Sequence, residues 1–379
     1  MSASKLPAIS VPALPSEIIE AILTLLPAKS LGRFKSVSKT WNSLISDPKF
    51  IKKNLQHHPQ TPTKLILLSD TDSLQYSLDT NQFLPYLNIN NNDDDDDIPA
   101  TAVKEVSFRF KEIFGSCNGL VLAKDENDTI FMINPATQDR FEVPLPPFVL
   151  PDDIDLIVWY GFGYDSSTDD YKVVSLTIWY LRREYEPYSM DTYVSLYSLR
   201  NNSWNKLSNS SHFFGLHADS PVVINQSSYQ WFNDFSTISA FSFTTEEFSE
   251  FRLQFLDLFK NRLVQFYDLV DIGGKLGVFL RVGGGGFEMW VMEDVGTNTW
   301  TRVCFHEFKD LRDRLKPVCL VEGSYRDIIL DVKGDVLVFN IDDGRSRNVR
   351  IEGGPAGGFT VLGTYAESLE SPKRILTPP

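Results

Sequence analysis

Two hydrophobic periods divide the chain. From Pro15 to about Leu55, apolar residues recur at helical spacing: Ile18, Ile22 and Leu25 form one line, with Ile19, Leu23 and Leu26 beside it. A first helix with apolar side chains on more than one face has to be covered on both sides. Pro15 suits the first helical position, where a missing N–H costs nothing, and Glu17 puts an anion in the first turn, where the helix dipole favours it. Pro27 stops that helix. Leu31, Phe34 and Val37 follow three apart, with Lys29, Arg33 and Lys35 between them. A third helix is predicted from near Ser38, burying Trp41, Leu44 and Ile45 and ending at Asp47-Pro48. Three such short helices cannot bury their own apolar surface well. The cover comes either from a partner protein or from docking of this head on the rest of the chain as a helical cap.

From residue 60 onward the helical period is gone. Short β-branched and aromatic runs alternate with turn residues, as in Lys64-Leu-Ile-Leu-Leu, Gly119-Leu-Val-Leu-Ala, Tyr171-Lys-Val-Val-Ser-Leu and Asp335-Val-Leu-Val-Phe, the pattern of an all-β domain. One unit recurs: an apolar strand, a polar tip, and a strand that opens on an aromatic or β-branched residue. It spans 76–83, 132–141, 196–204, 241–248, 291–300 and 338–349, closing on Phe83, Phe141, Trp204, Phe248, Trp300 and Val349. These closing residues lie 58, 63, 44, 52 and 49 positions apart, near the roughly 40–50-residue period of propeller blades with insertions in the first two. The expectation is an irregular β-propeller of about six blades. A two-sheet sandwich stays open, because hairpins alone do not fix how a sheet closes. Trp204 and Trp300, each just past a tip, read as anchors between neighbouring blades.

Charge follows the same division. Through Leu55 there are eight basic residues and three acids, a net +5 against −14 for all 379 residues, so the remainder carries −19. Two modules with different partners explain such asymmetry, with a boundary near His57-His58-Pro59. The acidic balance argues against a nucleic-acid binder and favours a basic partner. Cys117, Cys304 and Cys319 are too widely spaced for a zinc site or a redox dithiol, so a reducing compartment is expected. Prolines interrupt the first residues before a signal peptide can form, and no run reaches the roughly 18 apolar residues of a membrane span, so a cytosolic or nuclear protein is expected.

The residues also carry a resemblance. Leu14-Pro-Ser-Glu-Ile-Ile-Glu-Ala-Ile-Leu and Leu26-Pro-Ala-Lys-Ser-Leu-Gly-Arg-Phe-Lys-Ser-Val-Ser-Lys-Thr-Trp-Asn-Ser-Leu-Ile-Ser-Asp-Pro-Lys-Phe resemble an F-box of the plant type. The resemblance implies docking on the Skp-type adaptor of a cullin–RING ubiquitin ligase, through or in support of Leu14, Pro15, Ile18, Leu23, Leu26, Pro27, Leu31, Val37 and Trp41. Phe114-Gly-Ser-Cys-Asn-Gly-Leu, Ile133-Asn-Pro-Ala-Thr, Tyr160-Gly-Phe-Gly-Tyr-Asp-Ser-Ser-Thr-Asp-Asp-Tyr-Lys-Val-Val and Glu288-Met-Trp-Val-Met are similar to the kelch-related F-box-associated domain of a plant family that includes the S-locus F-box proteins. A kelch repeat carries a Gly-Gly doublet in each blade, and here Gly273-Gly274 alone comes close. The resulting division is an F-box at 12–55, a propeller-like domain at 60–370 and an acidic disordered loop at 90–98.

No catalytic constellation stands out. Asp93 to Asp97 lack the glycine turn and alternating spacing of a calcium loop, and Gly283 to Gly286 lack the Lys-Ser/Thr of a phosphate cradle. The five histidines show no ligand spacing, and there is no G-x-S-x-G. No cofactor and no metal are expected. The expected function is substrate recognition in an SCF ubiquitin ligase, with a target held on the β domain. Alternatives from other classes are a ligase-independent interaction scaffold and a propeller enzyme or glycan binder. Loops around 150–160, 181–192 and 208–220 are the candidate target contacts, since binding residues gather on loops over a rigid scaffold.

Overall fold

The computed structural model describes residues 14–58, 63–87, 97–104, 109–146, 154–181, 190–207, 221–232, 236–259, 264–282, 286–307, 315–324, 326–332, 334–353 and 357–376. The chain divides into two units, residues 1–59 and 60–379.

Among its described residues the first unit holds four helices, not the expected three: α1 (Ser16–Thr24), α2 (Ala28–Phe34), α3 (Lys39–Ile45) and α4 (Pro48–His57). Asp47-Pro48, read from sequence as a stop, is also a start. The Asp47 carboxylate accepts the backbone N–H of Lys49 (2.8 Å) and of Phe50 (3.4 Å), and Pro48 takes the first helical position. Ser38 caps α3 in the same way, accepting from the N–H of Trp41 at 3.1 Å. Leu23, Ala28, Leu31, Ile45, Phe50 and Ile51 form the buried core of the unit. Of the three α3 residues expected inside, Ile45 is buried, whereas Trp41 and Leu44 are half-buried.

Among its described residues the second unit is all β apart from short helical turns. Its strands are β1 (Lys64–Ser69), β2 (Gln75–Asp79) and β3 (Ile98–Val103); β4 (Glu112–Cys117), β5 (Leu120–Lys124), β6 (Ile130–Ile133) and β7 (Arg140–Glu142); β8 (Ile154–Asp165), β9 (Asp170–Leu181), β10 (Met190–Ser198) and β11 (Ser203–Lys206); β12 (Val222–Ile224), β13 (Ser228–Phe232), β14 (Thr237–Ser242) and β15 (Phe248–Arg252); β16 (Val264–Ile272), β17 (Lys275–Val282), β18 (Gly286–Asp294) and β19 (Thr299–Glu307); and β20 (Leu315–Leu320), β21 (Asp327–Val332), β22 (Asp335–Asn340), β23 (Ser346–Glu352) and β24 (Phe359–Tyr365). Strands β4–β7, β8–β11, β12–β15 and β16–β19 each make a four-stranded sheet. The rest make one eight-stranded sheet in the order β20-β21-β22-β23-β3-β2-β1-β24, antiparallel except where β3 and β23 run parallel. The last strand thus closes on the first, Leu65 opposite Thr364.

Across sheets, β24 lies beside β4, β4 beside β8, β8 beside β12, β12 beside β16, β16 beside β20, and β20 beside β24. Aliphatic and aromatic side chains pack between the sheets: Leu122, Phe162 and Val173 join two of them, Val194, Trp231 and Val278 belong to a cluster that runs across three, and Phe279, Leu330 and Phe339 join another two.

Five of the six recurrent tips are hairpins, joining β6 to β7, β10 to β11, β14 to β15, β18 to β19 and β22 to β23. The first is not. Phe83 closes a short 3-10 turn (Thr80–Phe83), fully buried, because the Asp79 carboxylate accepts the N–H of Asn81 at 3.0 Å and turns the chain inward before β3. Ile98, placed by sequence in the acidic loop, opens β3 and is buried; Asp97 is exposed, and the rest of the acidic run lies outside the described residues. Residues 154–160, 181 and 190–192, expected in loops, belong to β8, β9 and β10, and the apolar run Leu156-Ile-Val-Trp-Tyr pairs with β9. The remainder of those loops and Gly283 to Gly285 fall outside the described residues.

Candidate functional site

Large apolar side chains left in water mark the helical unit. Leu14 is 58% exposed, Ile18 47%, Ile22 50%, Leu25 63% and Val37 61%. Ile18, Ile22 and Leu25 repeat at four and three residues, so they stand on one line of α1 and its end. Isolated exposed apolar residues are ordinary, but a row of them marks an interaction surface. The nine residues expected to serve adaptor docking fall into three groups. Leu14, Pro15, Ile18, Pro27 and Val37 are exposed, Leu26 and Trp41 are half-buried, and Leu23 and Leu31 are buried in the unit's own core. Leu23 and Leu31 therefore shape the face from behind. Ile22 and Leu25 belong to the exposed line and were absent from the expected set; their spacing from Ile18 was the signal for them.

The line is held in place by α4, the helix that sequence reading missed. Asn54, buried, donates from Nδ2 to the carbonyls of Thr24 (2.8 Å) and Leu26 (3.2 Å), satisfying the end of α1 that would otherwise lack partners. Lys53 pairs with Glu20 at 3.1 Å on the surface. The Trp41 ring meets Phe34 edge-on, with centroids 5.5 Å apart, fixing α3 against α2.

In the β unit, polar residues of the segments that carry the family resemblance form internal locks. Asp165, buried at the tip between β8 and β9, accepts from the Ser167 N–H (2.9 Å), the Ser167 hydroxyl (2.6 Å), the Thr168 hydroxyl (2.7 Å) and the Lys172 ammonium (2.8 Å). Burial alone would raise its pKa, but the hydrogen bonds of Lys172, Ser167 and Thr168 outweigh it and hold the carboxyl well below the usual carboxylate range. Lys172 also donates to the Phe243 carbonyl (3.0 Å) and to Glu246 (2.7 Å), joining this tip to the β14–β15 tip of the next sheet. Trp204 donates to the Pro144 carbonyl at 2.7 Å and packs on Tyr197, and Trp300 packs against Phe255, so both indoles serve contacts between elements. Among the described residues no group of three or more His, Cys, Asp or Glu is placed to hold a metal. Cys117 and Cys319 are buried free thiols, and burial pushes Cys319 up to about 12, away from a reactive thiolate.

A small helical unit with a line of exposed apolar residues, followed by an all-β unit of packed four-stranded groups, defines a two-module protein. Comparison with known families identifies both modules. The F-box domain matches residues 12–53, and the F-box associated beta propeller domain matches residues 75–366. The chain belongs to the F-box proteins that carry an F-box associated beta propeller domain. It is similar to F-box protein CPR1 of Arabidopsis thaliana, 25% identical over 90% of this chain and 86% of that one. An F-box/kelch-repeat protein of the same plant is 26% identical over 88% of this chain and 89% of its own length. An F-box/LRR-repeat/kelch-repeat protein, also from Arabidopsis thaliana, is 29% identical over 89% and 87%. F-box proteins are typically non-catalytic adaptors of ubiquitin ligases. Among the described residues no helix is long and apolar enough to cross a membrane.

Proposed function

We propose that this chain is the substrate-recognition subunit of an SCF ubiquitin ligase. Residues 12–55 dock on a Skp-type adaptor, and through it on the cullin–RING core, while residues 60–370 hold a target protein for ubiquitination. The observation that carries this reading is the exposed apolar line Ile18, Ile22 and Leu25, with Leu14 and Val37, inside the F-box match. On docking, Leu14, Pro15, Ile18, Ile22, Leu25, Pro27 and Val37 meet the adaptor, with Leu26 and Trp41 at the margin and Leu23 and Leu31 as support. The chain itself performs no ubiquitin chemistry. It raises the local concentration of the target beside the charged conjugating enzyme, which is enough to favour transfer.

The β unit, in this reading, is a six-bladed propeller whose blades begin on β24, β4, β8, β12, β16 and β20, each beside the next. The pairing of β24 with β1 joins the chain ends within one blade. A rigid body of this kind, acidic overall, steers basic targets. The segments beginning at Phe114 and Tyr160 support a reading of the β unit as similar to the wider plant family that includes the S-locus F-box group, and in this reading the site of action is the cytosol or nucleus.

Co-purification tests the assignment. The full chain should recover a Skp-type adaptor and a cullin, and residues 60–379 should recover neither while sharing the remaining partners. A full chain that recovers no adaptor overturns it.

A further inference from the structure

Three of the four segments that carry the likeness of the β unit to its family, those with Gly119, Asn134 and Tyr171, converge on one object, the stretch after β24. We infer that residues 366–376 are a built-in peptide ligand, and that Gly119, Asn134 and Tyr171 form a dedicated site for it on the sheets β4–β7 and β8–β11. Asn134, fully buried, does two jobs with one amide. Its Oδ1 accepts the N–H groups of Ala136 (2.8 Å) and Thr137 (3.3 Å), shaping the β6–β7 tip. Its Nδ2 donates to the carbonyls of Ser368 (2.9 Å) and Glu370 (2.8 Å) and to the Ser368 hydroxyl (3.3 Å). Gly119, at φ +82°, leaves the space that Ser368 fills: a Cβ there would lie 2.2 Å from the Ser368 hydroxyl oxygen and 2.8 Å from the Ala366 carbonyl oxygen. Tyr171 donates its hydroxyl to Glu370 at 3.3 Å.

The ligand is preorganised. Both oxygens of the buried Glu370 carboxylate accept from Arg374, each at 2.7 Å, across one turn of the short helix Pro372–Leu376. Ser371 donates its N–H to the same carboxylate at 3.1 Å. Ile375 then enters the apolar cluster shared with Leu122, Phe162 and Tyr171. Two carbonyls, a neutralised carboxylate and an isoleucine are thus read by side chains on two different sheets. The carboxylate–guanidinium pair is worth burying only because every acceptor finds a donor. The segment starts one residue past the strand that closes the eight-stranded sheet, and Glu367 pairs with Lys64 at the start of β1 at 3.3 Å. Seated, it ties that closure to the two sheets that follow.

Asn134→Asp tests this selectively. The carboxylate keeps the acceptor for Ala136 and Thr137 but turns a donor into a repelling oxygen against the Ser368 and Glu370 carbonyls. In the full chain, Asn134→Asp should lower the melting temperature by several degrees. In a chain stopped after Tyr365, which should itself melt lower, the same substitution should change nothing further, and a synthetic peptide of residues 366–376 should restore stability to the stopped chain without the substitution. Equal cost in both backgrounds, or a stopped chain as stable as the full one, overturns the inference. Should the stopped chain not fold, hydrogen exchange on the full chain decides. Asn134→Asp should speed exchange at Glu370, Ser371 and Arg374 at least tenfold while leaving β9 unchanged, and unaltered protection of those three amides overturns the inference.

Discussion

Replacing Lys172 by Met isolates the buried charge at the β8–β9 tip. The methionine keeps most of the aliphatic stem and removes the ammonium, leaving Asp165 with an uncompensated charge at 1% side-chain exposure. Removing one partner of a buried pair costs roughly 3–5 kcal/mol, because the remaining charge stays out of water. The Phe243 carbonyl loses its 3.0 Å donor in the same step. Glu246, the other carboxylate on Lys172, is 44% exposed and relaxes into solvent, so Glu246→Ala should cost under about 1 kcal/mol. At roughly 2 °C per kcal/mol for a unit of this size, Lys172→Met should lower the melting temperature by about 6–10 °C and Glu246→Ala by about 2 °C at most. The double variant Lys172→Met/Asp165→Asn should recover part of the loss, since the stranded charge is gone. The assay is calorimetry of the full chain, reading the transition of the β unit. Near-equal losses for Lys172→Met and Glu246→Ala would refute the reasoning, as would a double variant less stable than Lys172→Met. The pH dependence carries a sign. Asp165 has a folded pKa below its unfolded value of about 3.9, so its contribution is full above that pH and lost as pH falls through the folded value. Lys172 is raised: burial lowers it, but its bonds to Asp165 and Glu246 outweigh that, so its contribution holds below about pH 10 and is lost as pH rises through the folded value. Lys172→Met should therefore flatten the acid limb of the stability curve.

The exposed line on α1 yields a second test: each half-exposed isoleucine or leucine gains about 1 kcal/mol on burial, so Ile18→Ala/Ile22→Ala/Leu25→Ala should weaken adaptor binding about 100-fold in titration calorimetry. The helical unit should melt unchanged in that variant, whereas Leu31→Ala, in the core, should cost about 2–5 kcal/mol of folding. Asn54→Ala should strand the Thr24 and Leu26 carbonyls, costing about 1–3 kcal/mol and loosening the end of the docking line, seen as faster exchange of the Leu25 and Leu26 amides. Gly163→Ala should destabilise the β unit by roughly 1–3 kcal/mol in denaturant titration, because its Cβ would lie 2.2 Å from the Phe243 ring and 2.7 Å from the Gln226 carbonyl.

What the sequence made legible was local. The helical period placed α1 to α3, and the tips were visible because hairpins of these lengths need a residue at positive φ, supplied by Asn202 (47°), Asn298 (52°) and Gly344 (75°). Asn118 and Gly119, both left-handed, turn β4 into β5 for the same reason. Where the signal was two-sided it misled: Asp47-Pro48 ends one helix and begins another, and Lys52 and Lys53 disguised the inward face made by Phe50, Ile51 and Asn54. Phe83 matched the tip pattern in composition, but Asp79 diverted the chain into a 3-10 turn.

The contacts that leave no period are those between distant residues. Nothing near Leu65 announces Thr364, and nothing near Ile98 announces Val349, its parallel partner. The same holds for Asn134 and Glu370, 236 residues apart. This has a consequence for where specificity resides. Asp165, Lys172, Asn134 and Gly119 are the most recognisable polar and glycine positions of the β unit, and each is committed to an internal partner. A side chain that already satisfies a buried acceptor has no free valence for a target without undoing a lock. If the β unit holds a target as proposed, that recognition falls to positions that the motifs do not mark.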